Sequence, residues 1–324
     1  MVALITLDPR AVPALVPAPI ELLRPSGSVN ASLLNRAWHR GEVVRVLPGV
    51  YAESKSWQEL PRWGRYLAQV HAVALKGPNT AFCGVSAAAL RGVYLGRVDE
   101  PVHVFEPLGS ARLAGRIRVH TGSQDRAFDE LDGVLLTGIP DTIVDIARSV
   151  PPIEGLAYAD ALLRRTQLPN PDQLRAINES RRTSRGRRNA RWALERATGA
   201  PESPLESLSL GVIELAGFEL PELQVEFRLD GHADRADFFW PSHRLIGEAD
   251  GQVKYDGTFV DPSTAIRQEK QRESRLRRQS SGLMRWGWSE IRDSDLLTRI
   301  LVNAGVPRPR RRDAAMLATL RDLA

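Results

Sequence analysis

The chain has 324 residues, 43% hydrophobic and 26% charged, an ordinary composition for a globular protein with room for two or three domains. No apolar run approaches the roughly 18–20 residues of a membrane span, and the single cysteine, Cys83, excludes an internal disulfide and any multi-cysteine zinc site. Net charge is +5, and of 44 basic residues only four are Lys, leaving 40 Arg. That excess fits a GC-rich coding bias and says little about partners by itself. Clustering says more. Residues 181–196 hold seven Arg against one Glu, and Arg308, Arg310, Arg311 and Arg312 form a second run. Such blocks attract phosphates through counterion release; a solvated helix face or a disordered tail is the alternative.

In chain order, the first 25 residues carry five prolines and read as an irregular lead-in without the basic start of a secretory signal, so the expected location is cytoplasmic. Ser28 or Asn30 caps a helix running to about His39, and Gly41 ends it. Val43–Leu47 and Val50–Ala52 then make a hairpin around Pro48-Gly49. Helix, glycine and tight hairpin is the order of the second half of a winged helix. On that reading Ser32, Asn35, Arg36, His39, Arg40 and Arg45 face DNA, with Arg185, Arg187 and Arg188 of the basic block adding phosphate contacts. A plain helix and hairpin is the alternative. Residues 61–76 and 85–91 read as helices, and 101–107, 116–122 and 133–140 as short strands. From 141 the period becomes helical over 141–150, 153–165 and a helix capped by Asn170 with Pro171 at its first position.

Beyond residue 200 the predicted order is α-β-β-β-α-β. An amphipathic helix over 203–217 is followed by strands over 221–231, 233–241 and 243–251, a helix over 262–280 and a final strand over 282–291. Side-chain alternation puts Ile246, Glu248 and Asp250 on one strand face, and a hairpin at Pro241-Ser242 brings Asp237 beside Glu248. Carboxylates so placed repel each other, and a hard divalent cation such as Mg²⁺ or Mn²⁺ relieves that repulsion. Glu206 is a further oxygen ligand or, in Ser203-Pro-Leu-Glu206, a capping-box partner. Strand-end and Asp-Gly turn chemistry is the bland reading of Asp237, Glu248 and Asp250. Other chemistries lack support: the six histidines form no His-x-x-x-His pair, Ser86 lies in no hydrolase elbow, and no phosphate-binding glycine loop occurs.

An Asp, a spacer and then Glu-x-Lys on the next strand is the signature of the PD-(D/E)XK nuclease superfamily, which this pattern resembles. More closely, SPLESL, ADFFWPSHRLIGEADGQVKY and EKQRESRLRRQSSGLMRWGW resemble very-short-patch-repair-endonuclease-like domains over residues 202–300. Upstream, RGEVVRVLPGVYAES, AFCGVSAAALRGVYLG, PVHVFEP and IPDTIVDIARSV resemble AbiEi-type antitoxins of actinobacteria, in which a winged helix precedes an α/β region. The resemblances imply a multi-domain α/β protein: a winged-helix-like region over 1–60, an α+β region over 61–140, a helical connector over 141–200, a restriction-endonuclease-like domain over 201–305 and a basic tail over 306–324. They imply metal-dependent hydrolysis of DNA, with Asp237 and Glu248 holding the metal, Asp250 and Glu206 assisting, and Lys270 or Lys254 supplying the catalytic cation, because Asp250 stands where the signature has Lys. The alternative they imply is a non-catalytic DNA-binding antitoxin with a cognate toxin protein as partner.

Overall fold

In the computed structural model the described residues are 15–26, 30–77, 79–96, 99–122, 126–165, 170–250 and 262–322. The chain divides into two units, Met1–Ser149 with Arg165–Arg191, and Val150–Arg164 with Trp192–Leu323. The helical stretch over 141–200 is thus shared between both.

In the first unit the Asn30 side chain accepts from the Leu33 N–H at 2.8 Å and opens helix α1 (Ala31–His39). Gly41, at φ +76°, turns the chain into the hairpin β1 (Val43–Leu47) and β2 (Val50–Glu53), which closes through Gly49 at φ +83°. Leu34, Val43 and Tyr51 form a small core with Leu23, Ala37 and Trp38 against it. Leu23 exchanges two 2.8 Å backbone hydrogen bonds with Tyr51. Among the described residues, the segment before α1 is therefore an irregular strap and contains none of the helices that precede a recognition helix in a winged helix. Pro17, Pro19 and Pro25 favour the strap, since proline has no N–H for a helix interior.

Helices α2 (Ser54–Glu59), α3 (Arg62–Lys76) and α4 (Gly84–Leu90) accompany a mixed six-stranded sheet. Its strands are β3 (Ala81–Phe82), β4 (Val102–Glu106), β5 (Arg112–Ala114), β6 (Ile117–Thr121), β7 (Phe128–Leu131) and β8 (Val134–Thr137), in the order β5-β6-β4-β3-β8-β7. Strands β3, β5 and β7 escape the sequence pattern because they have two to four residues, and β5 is exposed throughout.

The chain is then helical: α5 (Ile139–Ser149), α6 (Pro152–Leu163), α7 (Pro171–Ser180) and α8 (Arg187–Leu194). Helices α5 and α7 pack together in the first unit. Within the basic block Arg181 is buried and Arg187 and Arg196 are half-buried, whereas Arg182, Arg185, Arg188 and Arg191 are exposed. Arg181 is buried on Asp141 and lies 3.7 Å from Asp145, Arg187 donates to the Arg181 carbonyl at 2.5 Å, and Arg191 pairs with Glu179 at 2.9 Å. The buried Asp141 on α5 needs a counter-charge, and Arg181 supplies it.

In the second unit, Ser203 caps α9 (Pro204–Leu215) by accepting from the Glu206 N–H at 3.2 Å. A four-stranded sheet follows in the order β12-β11-β10-β9, built from β9 (Glu222–Leu229), β10 (His232–Trp240), β11 (Leu245–Ala249) and β12 (Gly282–Trp286). Only β11 and β12 are parallel, joined by a crossover through α10 (Pro262–Gln279). On the α10 side, Ala236, Ile246 and Leu276 are fully buried with Phe227, Phe239 and Leu283 against them. Trp240 and Trp286 are core residues, the latter donating to Ser209 of α9 at 2.8 Å. The strand predicted over 282–291 stops at Trp286, and helix α11 (Trp288–Arg292) follows Gly287, whose N–H is taken by Glu290 at 2.7 Å. Helices α12 (Ser294–Asn303) and α13 (Ala314–Ala318) complete the unit. The basic tail is docked: Arg308 and Arg310 donate to the carbonyls of Ala216 and Phe218, each at 2.7 Å, because the end of α9 leaves carbonyls without helical partners.

Candidate active site

Four acidic or amide side chains and one guanidinium meet where α9, β9, β10, β11 and α10 adjoin. In the β10–β11 register Phe238 faces Gly247, which sets Asp237 and Glu248 on neighbouring strands, and Asp237 Oδ2 accepts the Ala249 N–H at 2.9 Å. The hairpin at Pro241 thus does what the spacing requires. A backbone distortion shapes the same spot. Gln224 on β9, the neighbour of Asp237, sits at φ +55°, an unusual value for a non-glycine residue in a strand. Ala236 and Phe239 pack on one cluster although three residues apart, so regular alternation is interrupted around Asp237. The distortion lets the Gln224 amide donate to Glu206 Oε2 at 2.6 Å and also hydrogen-bond Asp237.

Glu248 is buried on the α10 side. Its Oε2 accepts from Arg272 Nη2 at 2.8 Å, and its Oε1 is buried with no hydrogen-bond partner among the described residues. Arg272 also donates to the Arg235 carbonyl at 2.8 Å and to Glu269 at 3.2 Å. Burial alone would lower its pKa, but Glu248, Glu269 and Asp237 together raise it, so it stays charged. Burial pushes the Glu248 carboxyl up to about 7, with Asp237 adding to the rise and Arg272 opposing it. Burial and the Asp237 charge likewise push Glu206 up to about 7, against the 2.7 Å hydrogen bond from the Glu202 N–H. Asp237 is raised chiefly by burial. Three carboxyls that resist ionisation together in one place form an electrostatically loaded site.

Not every residue singled out in the sequence joins it. Asp250 lies beyond β11, exposed, with its N–H given to the Trp286 carbonyl at 2.8 Å, because the strand ends one residue earlier. Glu206 is buried and engaged by Gln224 and the Glu202 N–H; it only half completes the capping box, as its carboxylate takes the N–H one residue before the cap. Among the described residues no group of three or more His, Cys, Asp or Glu is arranged as a ready metal cage. Lys270 is corrected: it is exposed on the outer side of α10 beside Ser274 and Arg277, about 200° around the helix from Arg272. The cation at the carboxylates is Arg272. Lys254 lies outside the described residues. Gln224 lies outside the quoted motifs, and Arg272 lies inside one without being singled out, yet it stands four positions before the buried Leu276 and so on the sheet-facing side.

Of the candidate DNA contacts, Ser32, Asn35, Arg36 and His39 are exposed at helical spacing on α1, opposite buried Leu34. Arg40 is held by Glu42 through two hydrogen bonds of 2.7 and 2.9 Å, and the Arg45 guanidinium lies over the Trp38 ring at 4.4 Å. Arg185 and Arg188 are exposed, whereas Arg187 is half-buried. No helix among the described residues is long and apolar enough to cross a membrane. Comparison with family models, curated proteins and solved structures gives no match to this chain.

Proposed function

We propose that this chain binds DNA and hydrolyses its phosphodiester bonds with the help of Mg²⁺ or Mn²⁺ held by Asp237 and Glu248. The observation that carries the reading is the buried Oε1 of Glu248, unpartnered among the described residues, beside the Asp237 carboxylate. A buried carboxylate oxygen without a donor is costly, and a cation offsets that cost. The all-oxygen donor set suits a hard divalent cation better than zinc. Such a cation, when bound, supplies Lewis acidity toward a phosphoryl oxygen and activates water. The chain's own groups do the rest. Arg272 keeps Glu248 oriented and offers positive charge to a phosphate, with no capacity to act as a base. Gln224 links Glu206 to Asp237 and fixes both. The polar face of α1, with Ser32, Asn35, Arg36 and His39, offers donors to the duplex. The test is relaxation or linearisation of supercoiled plasmid by the purified full chain, present with Mn²⁺ or Mg²⁺ and absent with EDTA.

A second reading, a DNA-binding antitoxin-like regulator with a cognate toxin protein, draws on one observation. The cation at the carboxylates is Arg272 of α10, while Asp250 stands at the position where the nuclease signature has Lys. Plasmid left intact under all metal conditions, together with retention of the protein's own promoter DNA in a shift assay, would favour it.

A further inference from the structure

Helix α10 has a second working face. Its sheet side carries Arg272, Arg275 and Leu276, with Arg275 bound to Asp234 through two hydrogen bonds of 2.6 and 2.7 Å. The opposite side opens on a groove of about 430 Å³ lined by Lys270, Glu273, Ser274, Arg277 and Arg278. Three cations face one carboxylate there. That carboxylate is already shared, since Glu273 binds Arg277 at 2.8 Å and lies 3.6 Å from Arg285. Arg278 pairs with Asp230 at 2.5 Å, both more than half exposed, in a contact that water readily loosens. Lys270 is exposed and has no hydrogen-bond or ion-pair partner among the described residues, and neither has Arg267, exposed one turn earlier.

We infer that this face is a docking rail for the sugar–phosphate backbone of duplex DNA. Lys270, Ser274 and Arg278 recur every four residues, so Lys270 and Arg278 are about 12 Å apart along the helix axis. Laid along the duplex axis, that distance covers about three to four nucleotide steps of one strand, given an axial rise of roughly 3.4 Å per nucleotide. An unpaired Lys and a hydroxyl among half-engaged arginines suit repeated singly charged oxygens, which are contacted without sequence preference. The rail also gives Lys270 a role in placing DNA on the unit that carries Asp237 and Glu248. The inference extends the hydrolytic reading, yet is tested apart from it.

Binding of a short fluorescent duplex to the full chain is measured by anisotropy in EDTA, across a series of salt concentrations. Lys270→Glu combined with Ser274→Glu lowers affinity at least tenfold, and the slope of log affinity against log salt shrinks by about 0.9 for each phosphate that the variant no longer neutralises. Lys270→Arg keeps both near wild type, which separates an effect of charge from an effect on folding. Unchanged affinity and slope in the double variant overturn the rail, whatever the cleavage assay shows. Lys270-dependent binding by a protein that cleaves nothing upholds the rail and removes only the hydrolytic reading.

Discussion

Arg272 donates to one carboxylate oxygen of Glu248 at 2.8 Å while the other oxygen of the same carboxylate is buried without a partner among the described residues. This asymmetry governs what substitutions at the pair should do. Arg272→Ala leaves Glu248 buried without its donor and its nearest counter-charge, a change of the kind that destabilises by about 3–5 kcal/mol. Arg272→Lys retains the charge but loses the fork, and should lie between wild type and Arg272→Ala in thermal unfolding. On the hydrolytic reading cleavage falls by about 10²–10³-fold in Arg272→Ala. Equal melting of the two variants and wild type would show that the pair contributes nothing.

The same carboxylates set a pH dependence. Unfolded glutamates ionise near about 4.3, whereas Glu206 and Glu248 in the folded chain ionise at about 7 because burial disfavours their charge. Between those values the native state holds protons that the unfolded chain has released, so stability falls as pH rises. Metal-free protein is therefore expected to melt at a higher temperature at pH 5.5 than at pH 8. Mn²⁺ should restore part of the loss at pH 8, because it binds the ionised native form. Glu248→Gln should flatten the profile; a profile unchanged by that substitution would remove Glu248 as its source.

Gly247 tests packing separately from chemistry. It lies on β11 between the two tryptophans, and an added Cβ would come within 2.5 Å of a Trp286 ring carbon and 3.1 Å of Trp240. Both rings are buried in the sheet core. Gly247→Ala should destabilise by about 1–3 kcal/mol through overpacking, read as a lower denaturant midpoint with unchanged slope. An unaltered midpoint would mean that the rings yield freely.

On α1, Asn35→Ala and Arg36→Ala remove exposed groups opposite buried Leu34, so folding should persist. Each should weaken duplex binding in a mobility-shift assay, Arg36→Ala with a smaller salt slope. Arg40→Ala should matter less, because Glu42 already holds that guanidinium. Undiminished binding in all three would remove α1 from the DNA-binding surface.

Much of the second unit was legible in the sequence, and for identifiable reasons. Period-two alternation and the Pro241 turn locate β10 and β11, and their pairing brings Asp237 to Glu248. The Ser203 cap and Pro204 locate α9. What stayed hidden depends on tertiary geometry. The positive φ of Gln224 follows from no local preference, since a glutamine between Leu223 and Val225 reads as ordinary strand. Lysine chemistry pointed to Lys270, but helical phase relative to Leu276 decides which cation reaches Glu248, and that phase selects Arg272. In the first unit, Arg181 and Arg187 look like nucleic-acid ligands in a charge count because the sequence does not show that Asp141 and Asp145 lie beside Arg181 or that Arg187 turns to the Arg181 carbonyl.

If Asp237 and Glu248 form a cation-dependent hydrolytic site, Glu248→Gln, which keeps the size of the side chain and removes its charge, should disable it. The most direct measurement is the single-turnover rate at which the full chain and that variant cut an end-labelled DNA duplex in Mn²⁺. Wild type should cut and the variant should be slower by at least about 10²-fold, with duplex binding in EDTA unaltered. Equal rates in the two proteins, or no cutting by wild type, would contradict a hydrolytic role for the pair.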